Sequence, residues 1–179
     1  MPEPGLNSTA AALLGLLHGG PMTGGQLVGV AESRLGPFWT TTRSQVYREL
    51  PALAERGYVR LGKPGPRSSQ PYAITAAGKR AFARWLSEPT GRDQLRNPLM
   101  LRAAFGGLHT PEQLNSLYET QTAEHSARLA ELRAALRDAK NRDDPYAVAT
   151  LEFAVTYQRA LLRWLDHAPA SDTGSEAEE

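Results

Sequence analysis

The feature that most constrains this fold is a change of hydrophobic periodicity near residue 57. Before it, apolar residues recur at helical spacing in three segments, and each segment ends in glycine or proline. After it, Tyr58–Leu61 and Tyr72–Thr75 have the short, aromatic and β-branched character of strands, and the loop between them contains three prolines and two glycines. A helix then runs through Phe82 to Pro89. This is the element order of a winged helix-turn-helix, which we predict for residues 8–89.

Three helix starts carry the pattern of a capping box. In this arrangement a threonine side chain and a glutamine side chain three residues later each satisfy a backbone N–H of the other residue. The three boxes are Thr23–Gln26, Thr42–Gln45 and Thr110–Gln113. The third also has Pro111 at the first helical position, where proline is favoured. The boxes predict the second and third helices of the winged domain and a long helix further along the chain.

The second half of the chain predicts a pair of long antiparallel helices. Apolar residues follow a four-three stripe after Thr110 and again after Asp144, as in helices that pack on other helices. We predict a mainly α fold with a small β-hairpin, a helical dimerisation domain over residues 98–167, and a disordered acidic tail over residues 168–179. A lone amphipathic pair would leave an apolar face exposed, so we expect two copies to intertwine. The residues expected at the dimer interface are Leu114, Tyr118, His125, Leu132, Leu151, Val155 and Leu162.

Two polar residues, Gln121 and His125, fall on the stripe of the first long helix. One interpretation is a polar pair that sets the register between helices. The other is that they line an effector pocket or respond to pH. The sequence leaves both open.

Charge is unevenly distributed along the chain. Residues 1–80 contain nine Lys/Arg and four Asp/Glu, whereas residues 81–179 contain eleven and fifteen. A basic first half favours a polyanionic partner, with chance scatter of surface charge as the alternative. The loop between the two strands is basic and contains no acidic residue, which favours contact with a phosphate backbone.

The third predicted helix and this loop supply the side chains for DNA contact. In a winged helix-turn-helix the third helix enters the major groove, and the hairpin loop, or wing, touches the flanking backbone. Serine, glutamine and arginine side chains hydrogen-bond base edges or phosphates, and a helix N-terminus favours a phosphate. The candidate residues are Thr42, Arg43, Ser44, Gln45, Tyr47 and Arg48 on the helix, with Lys63, Arg67, Ser68 and Ser69 on the wing. Each of these assignments has an alternative. The alternatives are a solvated helix face for Arg43 and Arg48, a packing role for Tyr47, and a plain hairpin connection for the loop.

Several of these segments resemble the PadR family of bacterial transcriptional regulators. Over residues 9–86 the resemblance rests on Leu13–Leu17 before a Gly/Pro turn, Phe38–Trp39, Ser44–Tyr47 with Leu50 and Leu53, Gly57–Val59, Tyr72–Thr75 and Gly78–Lys79. Leu99–Gly107, followed by Thr110–Glu112 and two long helices, is similar to the family's longer type, which has a separate C-terminal dimerisation domain.

The resemblance implies a homodimeric repressor that binds a roughly palindromic double-stranded DNA operator. It also implies a small hydrophobic or phenolic effector, because such molecules release DNA from sensing members of the family. The family's DNA contacts fall on Ser44, Gln45, Tyr47 and Arg48 in the helix and on Lys63 and Arg67 in the wing.

One departure from the family pattern is Pro51, which sits inside the predicted recognition helix. Many relatives place a proline directly after the tyrosine, where this chain has Arg48. A proline at position 51 crowds the carbonyl of Tyr47, so we expect a kink or an early helical turn there. The choice of base-facing residues therefore stays open.

The sequence also argues against several other classes of protein. It contains no cysteine, which excludes disulfides, thiolate zinc sites and cysteine nucleophiles. No spaced histidine pair, nucleophile elbow or phosphate-binding loop is present, so we predict no metal, no cofactor and no enzyme. No apolar run approaches the roughly 20 residues of a membrane span, and we expect a cytoplasmic protein without membrane contact. The alternative to DNA binding is a winged helix used only for protein–protein contact.

Overall fold

A computed structural model describes residues 5–63, 70–92 and 95–169 of the chain. The chain divides into two compact units, Met1–Gly91 and Arg92–Glu179. Three predicted wing residues, Arg67, Ser68 and Ser69, lie outside the described residues, as does the predicted tail from residue 170 onward. Within the described ranges, no helix combines the length and apolarity that a membrane span requires.

The helices of the first unit begin at polar caps. They are α1 (Ser8–Leu16), α2 (Gly24–Leu35), α3 (Arg43–Glu55) and α4 (Ala76–Ser87). In each, the side chain of the preceding residue accepts a hydrogen bond from a first-turn N–H, and these caps are Asn7, Thr23, Thr42 and Thr75. The capping boxes predicted at Thr23–Gln26 and Thr42–Gln45 are confirmed.

A three-stranded antiparallel sheet closes the first unit. Its strands are β1 (Met22–Thr23), β2 (Val59–Leu61) and β3 (Pro71–Ile74), in the order β1-β3-β2. The predicted hairpin corresponds to β2 and β3, which pair with Arg60 opposite Ala73. The sequence did not predict β1, because two residues are too few to show an alternating pattern.

The core of the first unit is made where the helical stripes meet. Its largest fully buried side chains are Leu13, Leu14, Leu17, Leu27, Val46, Leu50 and Leu53. Burial of each such side chain is worth about 1.5–3 kcal/mol, so α3 is fixed through its inner face by three of them. This packing leaves the opposite face of α3 outside the core.

Two glycines shape the region where α4 meets the segment that follows α3. Gly57 has φ +68°, in the left-handed region that favours glycine, and ends the turn after α3. A Cβ at Gly78 would overlap the carbonyl oxygen of Tyr58 and come within 3.0 Å of Ile74 Cγ1. Thr75 joins the same elements, since its hydroxyl donates to the carbonyl of Gly57 at 2.7 Å and accepts from the N–H of Gly78 at 3.0 Å.

The second unit is helical in its described part. It contains α5 (Pro98–Ala103), a short 3-10 helix (Gly106–Leu108), α6 (Pro111–Asn141) and α7 (Pro145–Asp166). The capping box predicted at Thr110–Gln113 is confirmed at the start of α6. In the same turn, the backbone N–H of Glu112 and the hydroxyl of Thr110 donate hydrogen bonds to the Glu112 carboxylate and lower its pKa from 4.5.

Helices α6 and α7 pack antiparallel along what we call the α6–α7 seam. The seam is formed by buried Leu129, Leu132, Ala154 and Val155, with Leu136, Leu151 and Leu162 packed against them. Four residues predicted for the dimer interface therefore contribute to a core within one chain: Leu132, Leu151, Val155 and Leu162. A role for them between chains stays a prediction.

Polar and aromatic contacts extend the seam toward the start of α6. Nδ1 of His125 lies 2.7 Å from Oε1 of Gln158 on α7. Tyr118 and Trp164 meet edge to face, with ring centroids 5.9 Å apart. Gln121, which the sequence suggested as the companion of His125, instead donates to Glu124 on its own helix at 2.7 Å. Gln158 is therefore the hydrogen-bond partner of His125 across the two helices.

Candidate nucleic-acid interface

The start of α3 is held by a complete capping box. The N–H of Gln45 donates to Oγ1 of Thr42 at 3.2 Å, and the N–H of Thr42 donates to Oε1 of Gln45 at 2.8 Å. The amide oxygen of Gln45 is thus occupied by its own helix. Of the predicted DNA-contacting residues, Thr42 and Gln45 therefore fix the helix start, where the first-turn N–H groups favour an anion.

The exposed face of α3, which we call the α3 surface, is formed by Arg43, Ser44, Tyr47 and Arg48. Tyr47 is three and four residues from Ser44 and Arg43, and Arg48 is four residues from Ser44, so these side chains are neighbours on the helix surface. The opposite face carries the buried residues Val46, Leu50 and Leu53. The structure thus brings together two guanidinium groups, a hydroxyl and a phenol beside a capped helix N-terminus.

The ring of Tyr47 lies against the first turn of α2. A Cβ at Gly24 would stand 3.0 Å from Cε1 and 3.1 Å from Cζ of this ring. The guanidinium carbon of Arg43 is 5.7 Å from the centroid of the same ring, within cation–π range. Tyr47 is nevertheless 50% exposed, so it contacts both neighbours while keeping surface open to solvent.

Arg48 has an ion-pair partner within α3. Its Nη2 lies 3.6 Å from Oε1 of Glu49, with the two side chains 73% and 13% exposed. The same carboxylate accepts a hydrogen bond from Nδ2 of Asn7 at 3.1 Å. A pair this exposed on the arginine side is worth at most about 1 kcal/mol, so an external anion competes for Arg48 at little cost.

Pro51 lies inside α3, and the helix continues across it as one element from Arg43 to Glu55. The distortion expected near Tyr47 therefore does not end the helix. Pro51 itself is exposed. The residues of the α3 surface consequently stay on one face of one helix.

The described part of the wing begins at the ends of β2 and β3. The N–H of Gly62 donates to the carbonyl of Pro71 at 2.7 Å and closes the stem of the hairpin. Lys63, a predicted contact, is exposed at its base. Arg60 on β2 is also exposed. It is not among the predicted contacts, although its position next to a basic loop was a usable signal.

Other kinds of site lack support in the described residues. Among residues 5–63, 70–92 and 95–169, no group of three or more His, Asp or Glu side chains is placed to hold a metal ion. The whole chain has no cysteine.

The second unit matches a known family model. Residues 95–170 match the family described as "Virulence activator alpha C-term". This match covers the region in which α5, α6 and α7 lie.

The chain is also similar to a curated protein and to solved structures. It is 24% identical over 168 residues to the negative transcriptional regulator PadR of Bacillus subtilis. The aligned region covers 87% of this chain and 92% of that protein. A PadR-like transcriptional regulator from Bacillus cereus has a TM-score of 0.79 at 19% identity, covering 89% of this chain and 94% of the other.

Bacillus subtilis PadR has been solved in two complexes that share this fold. With operator DNA, its TM-score is 0.75 at 22% identity, covering 90% of this chain and 97% of the other. With p-coumaric acid, its TM-score is 0.68 at 24% identity, covering 90% and 96%. At these identities the likeness shows a common fold.

Proposed function

We propose that this chain is a transcriptional regulator of the PadR type, which binds double-stranded operator DNA as a homodimer and represses transcription. In this proposal residues 8–89 carry DNA binding and residues 98–167 carry dimerisation. The protein acts without catalysis and in the cytoplasm, where a bacterial operator is found.

The observation that carries the proposal is the α3 surface. Arg43 and Arg48 place positive charge beside the capped start of a helix whose other face is fixed in the core. A helix held in this way suits the major groove, since arginine pairs with guanine edges or with phosphates while the helix N-terminus favours a phosphate. Lys63 and Arg60 at the wing stem add cations for the flanking backbone.

Dimerisation is supported by apolar side chains that the second unit leaves exposed. Phe153 and Tyr146 on α7 are 63% and 84% exposed, and Leu101, Phe105 and Leu108 are 65%, 58% and 85% exposed. Burial of these side chains against a second copy would remove their apolar surface from water, so a second copy is the proposed cover. In a two-fold dimer the recognition helices would enter successive major grooves, roughly 34 Å apart.

Regulation by a small molecule is the remaining part of the proposal. The relative from Bacillus subtilis is named a negative regulator, and it has been solved with p-coumaric acid. By analogy we propose a small hydrophobic or phenolic effector that releases this chain from its operator. A panel of phenolic acids added to the preformed complex should lower the DNA affinity for at least one member.

Fluorescence anisotropy tests the DNA-binding proposal. Purified protein is titrated into labelled DNA from upstream of its own gene and into random DNA, at about 50 mM and 200 mM salt. We expect preference for the upstream DNA and a steep loss of affinity with salt, because phosphate neutralisation releases counterions.

If the upstream DNA is not preferred, selection from a random-sequence pool replaces it as the source of an operator. A pool with no enriched sequence, or an affinity that is flat with salt, would overturn the proposal. The winged helix would then be assigned to protein–protein contact.

A further inference from the structure

Gly24 is buried although it begins a helix at the surface. It is the first residue of α2, and its neighbour Gly25 is exposed. A Cβ at Gly24 would lie 3.0 Å, 3.1 Å and 3.3 Å from Cε1, Cζ and Oη of Tyr47, whereas a Cβ at Gly25 would meet nothing within 4 Å. A side chain at position 24 would therefore crowd the Tyr47 ring, which would have to shift by a few tenths of an ångström.

The backbone under this ring is itself held in place. Thr23 caps α2 and is also the second residue of β1, where it pairs with Pro71 of β3. The first turn of α2 is thus joined to the strand that leads out of the wing. Gly24 presents a fixed surface to the Tyr47 ring.

The ring in turn contacts the first cation of α3. Arg43 stands four residues before Tyr47 on the same helix, and its guanidinium carbon is 5.7 Å from the ring centroid. Arg43 is a first-turn residue beside the phosphate-favouring helix start. Contact with the ring restricts the rotamers of a long flexible side chain, so less conformational entropy remains to be lost when it binds an anion.

We propose that Tyr47 is a positioning residue, which uses the space left by Gly24 to hold Arg43 ready for DNA. This inference rests on the proposed DNA-binding function and deepens it. According to this proposal, the residue at position 24, which lies on α2 and outside the α3 surface, affects how tightly the α3 surface binds DNA. It also assigns Tyr47 a role through Arg43, in place of base reading by its own hydroxyl.

A matched pair of glycine variants tests the proposal. Gly24→Ala crowds the ring and requires it to shift by a few tenths of an ångström, and Gly25→Ala makes the same chemical change one residue away in open space. Measured by anisotropy against the preferred DNA, Gly24→Ala should weaken binding about three- to tenfold, and Gly25→Ala less than about twofold. Equal affinities for the two variants would overturn the proposal.

A double-mutant cycle separates positioning from general support of the fold. In the background of Arg43→Ala, Gly24→Ala should cost less than about twofold in affinity, because the residue that it acts through is gone. A full additional loss in that background would show that Gly24 supports the fold in another way. Tyr47→Leu, which removes the aromatic ring, should weaken binding at least as much as Gly24→Ala does, and wild-type affinity in Tyr47→Leu would overturn the positioning role.

A measurement without DNA keeps this inference distinct from the proposed function. In the NMR spectrum of the free protein, the side-chain protons of Arg43 should show an upfield ring-current shift. That shift should keep its wild-type size in Gly25→Ala, become smaller in Gly24→Ala and be absent in Tyr47→Leu. If the shift follows this pattern but no DNA binds, DNA binding is wrong and the positioning contact stands; if wild type lacks the shift, the positioning role is wrong.

Discussion

His125 of α6 and Gln158 of α7 are joined across the α6–α7 seam by a hydrogen bond of 2.7 Å. Both side chains are half-buried. Because a polar group that loses its partner in such a place cannot be fully solvated, the bond favours one register of the two helices over slipped alternatives.

We predict that Gln158→Ala lowers the free energy of unfolding by about 1–2 kcal/mol, because it leaves the imidazole without its partner. Urea denaturation followed by circular dichroism measures the change. Gln121→Ala is the control, since Gln121 bonds to Glu124 on its own helix, and it should change stability by less than about 0.5 kcal/mol. Equal losses in the two variants would remove the special role of the seam bond.

Gly78→Ala should destabilise the first unit by about 1–3 kcal/mol, because its new methyl group would overlap the carbonyl oxygen of Tyr58. Gly29→Ala in α2 is the matched variant, since a Cβ there meets nothing within 4 Å. It should stabilise the helix by about 0.5–1 kcal/mol through better helix propensity. Thermal unfolding of both variants shows whether the signs are opposite, as this argument requires.

Phe153→Asp should lower the affinity of dimerisation at least about tenfold. The ring of Phe153 is exposed in the single chain, and the dimer would have to bury a carboxylate in its place. Light scattering after gel filtration, over a range of protein concentrations, gives the mass. Leu86→Asp is a suitable control, because Leu86 in the first unit is also 63% exposed. A dimer that survives Phe153→Asp unchanged would move the interface away from this face of α7.

Arg48→Ala should abolish the preference for operator over random DNA while the dimer stays intact. Lys63→Ala should instead weaken binding to both DNAs alike and reduce the salt slope by about one, as expected for a phosphate contact. Anisotropy at several salt concentrations separates the two effects. Loss of the dimer in Arg48→Ala would assign that residue to the fold.

The Glu112 carboxylate gives the start of α6 a pH dependence. Its pKa is lowered from 4.5 by the backbone N–H of Glu112 and then by the Thr110 hydroxyl, so the contribution to stability is present above the ordinary value and disappears as pH falls through the lowered pKa. Glu112→Gln should therefore be less stable than wild type near pH 7 and equal to it near pH 2. A stability difference that does not change with pH would contradict this sign.

Local patterns in the sequence predicted local structure well. The three capping boxes were predictable because each depends on two residues three apart and on the backbone between them. The hairpin of β2 and β3 was predictable for a similar reason, since its turn residues lie between its strands. Strand β1 was not, because Met22–Thr23 becomes a strand only through pairing with a distant β3.

The composition of the candidate site follows from the sequence, and the arrangement of its side chains does not. Helical spacing placed Arg43, Tyr47 and Arg48 on one face, but no pattern in the sequence indicates that the Tyr47 ring lies on Gly24 of another helix. The apolar stripes of α6 and α7 likewise show which residues are buried and not what covers them. Periodicity shows that Leu132 and Val155 need an apolar partner, and it does not show whether that partner belongs to the same chain.

The tight connection between α6 and α7 has a consequence for heredity as well as for folding. Only residues 142–144 separate the two helices, with Asp144 capping the second, so closing this hairpin costs little loop entropy and its contacts near the turn are local in sequence. The hairpin should therefore form even in a chain whose first unit is defective. If the chain pairs as proposed, such a defective copy would still join intact copies into mixed dimers, and an allele that damages α3 would be dominant in a cell that also carries the normal gene.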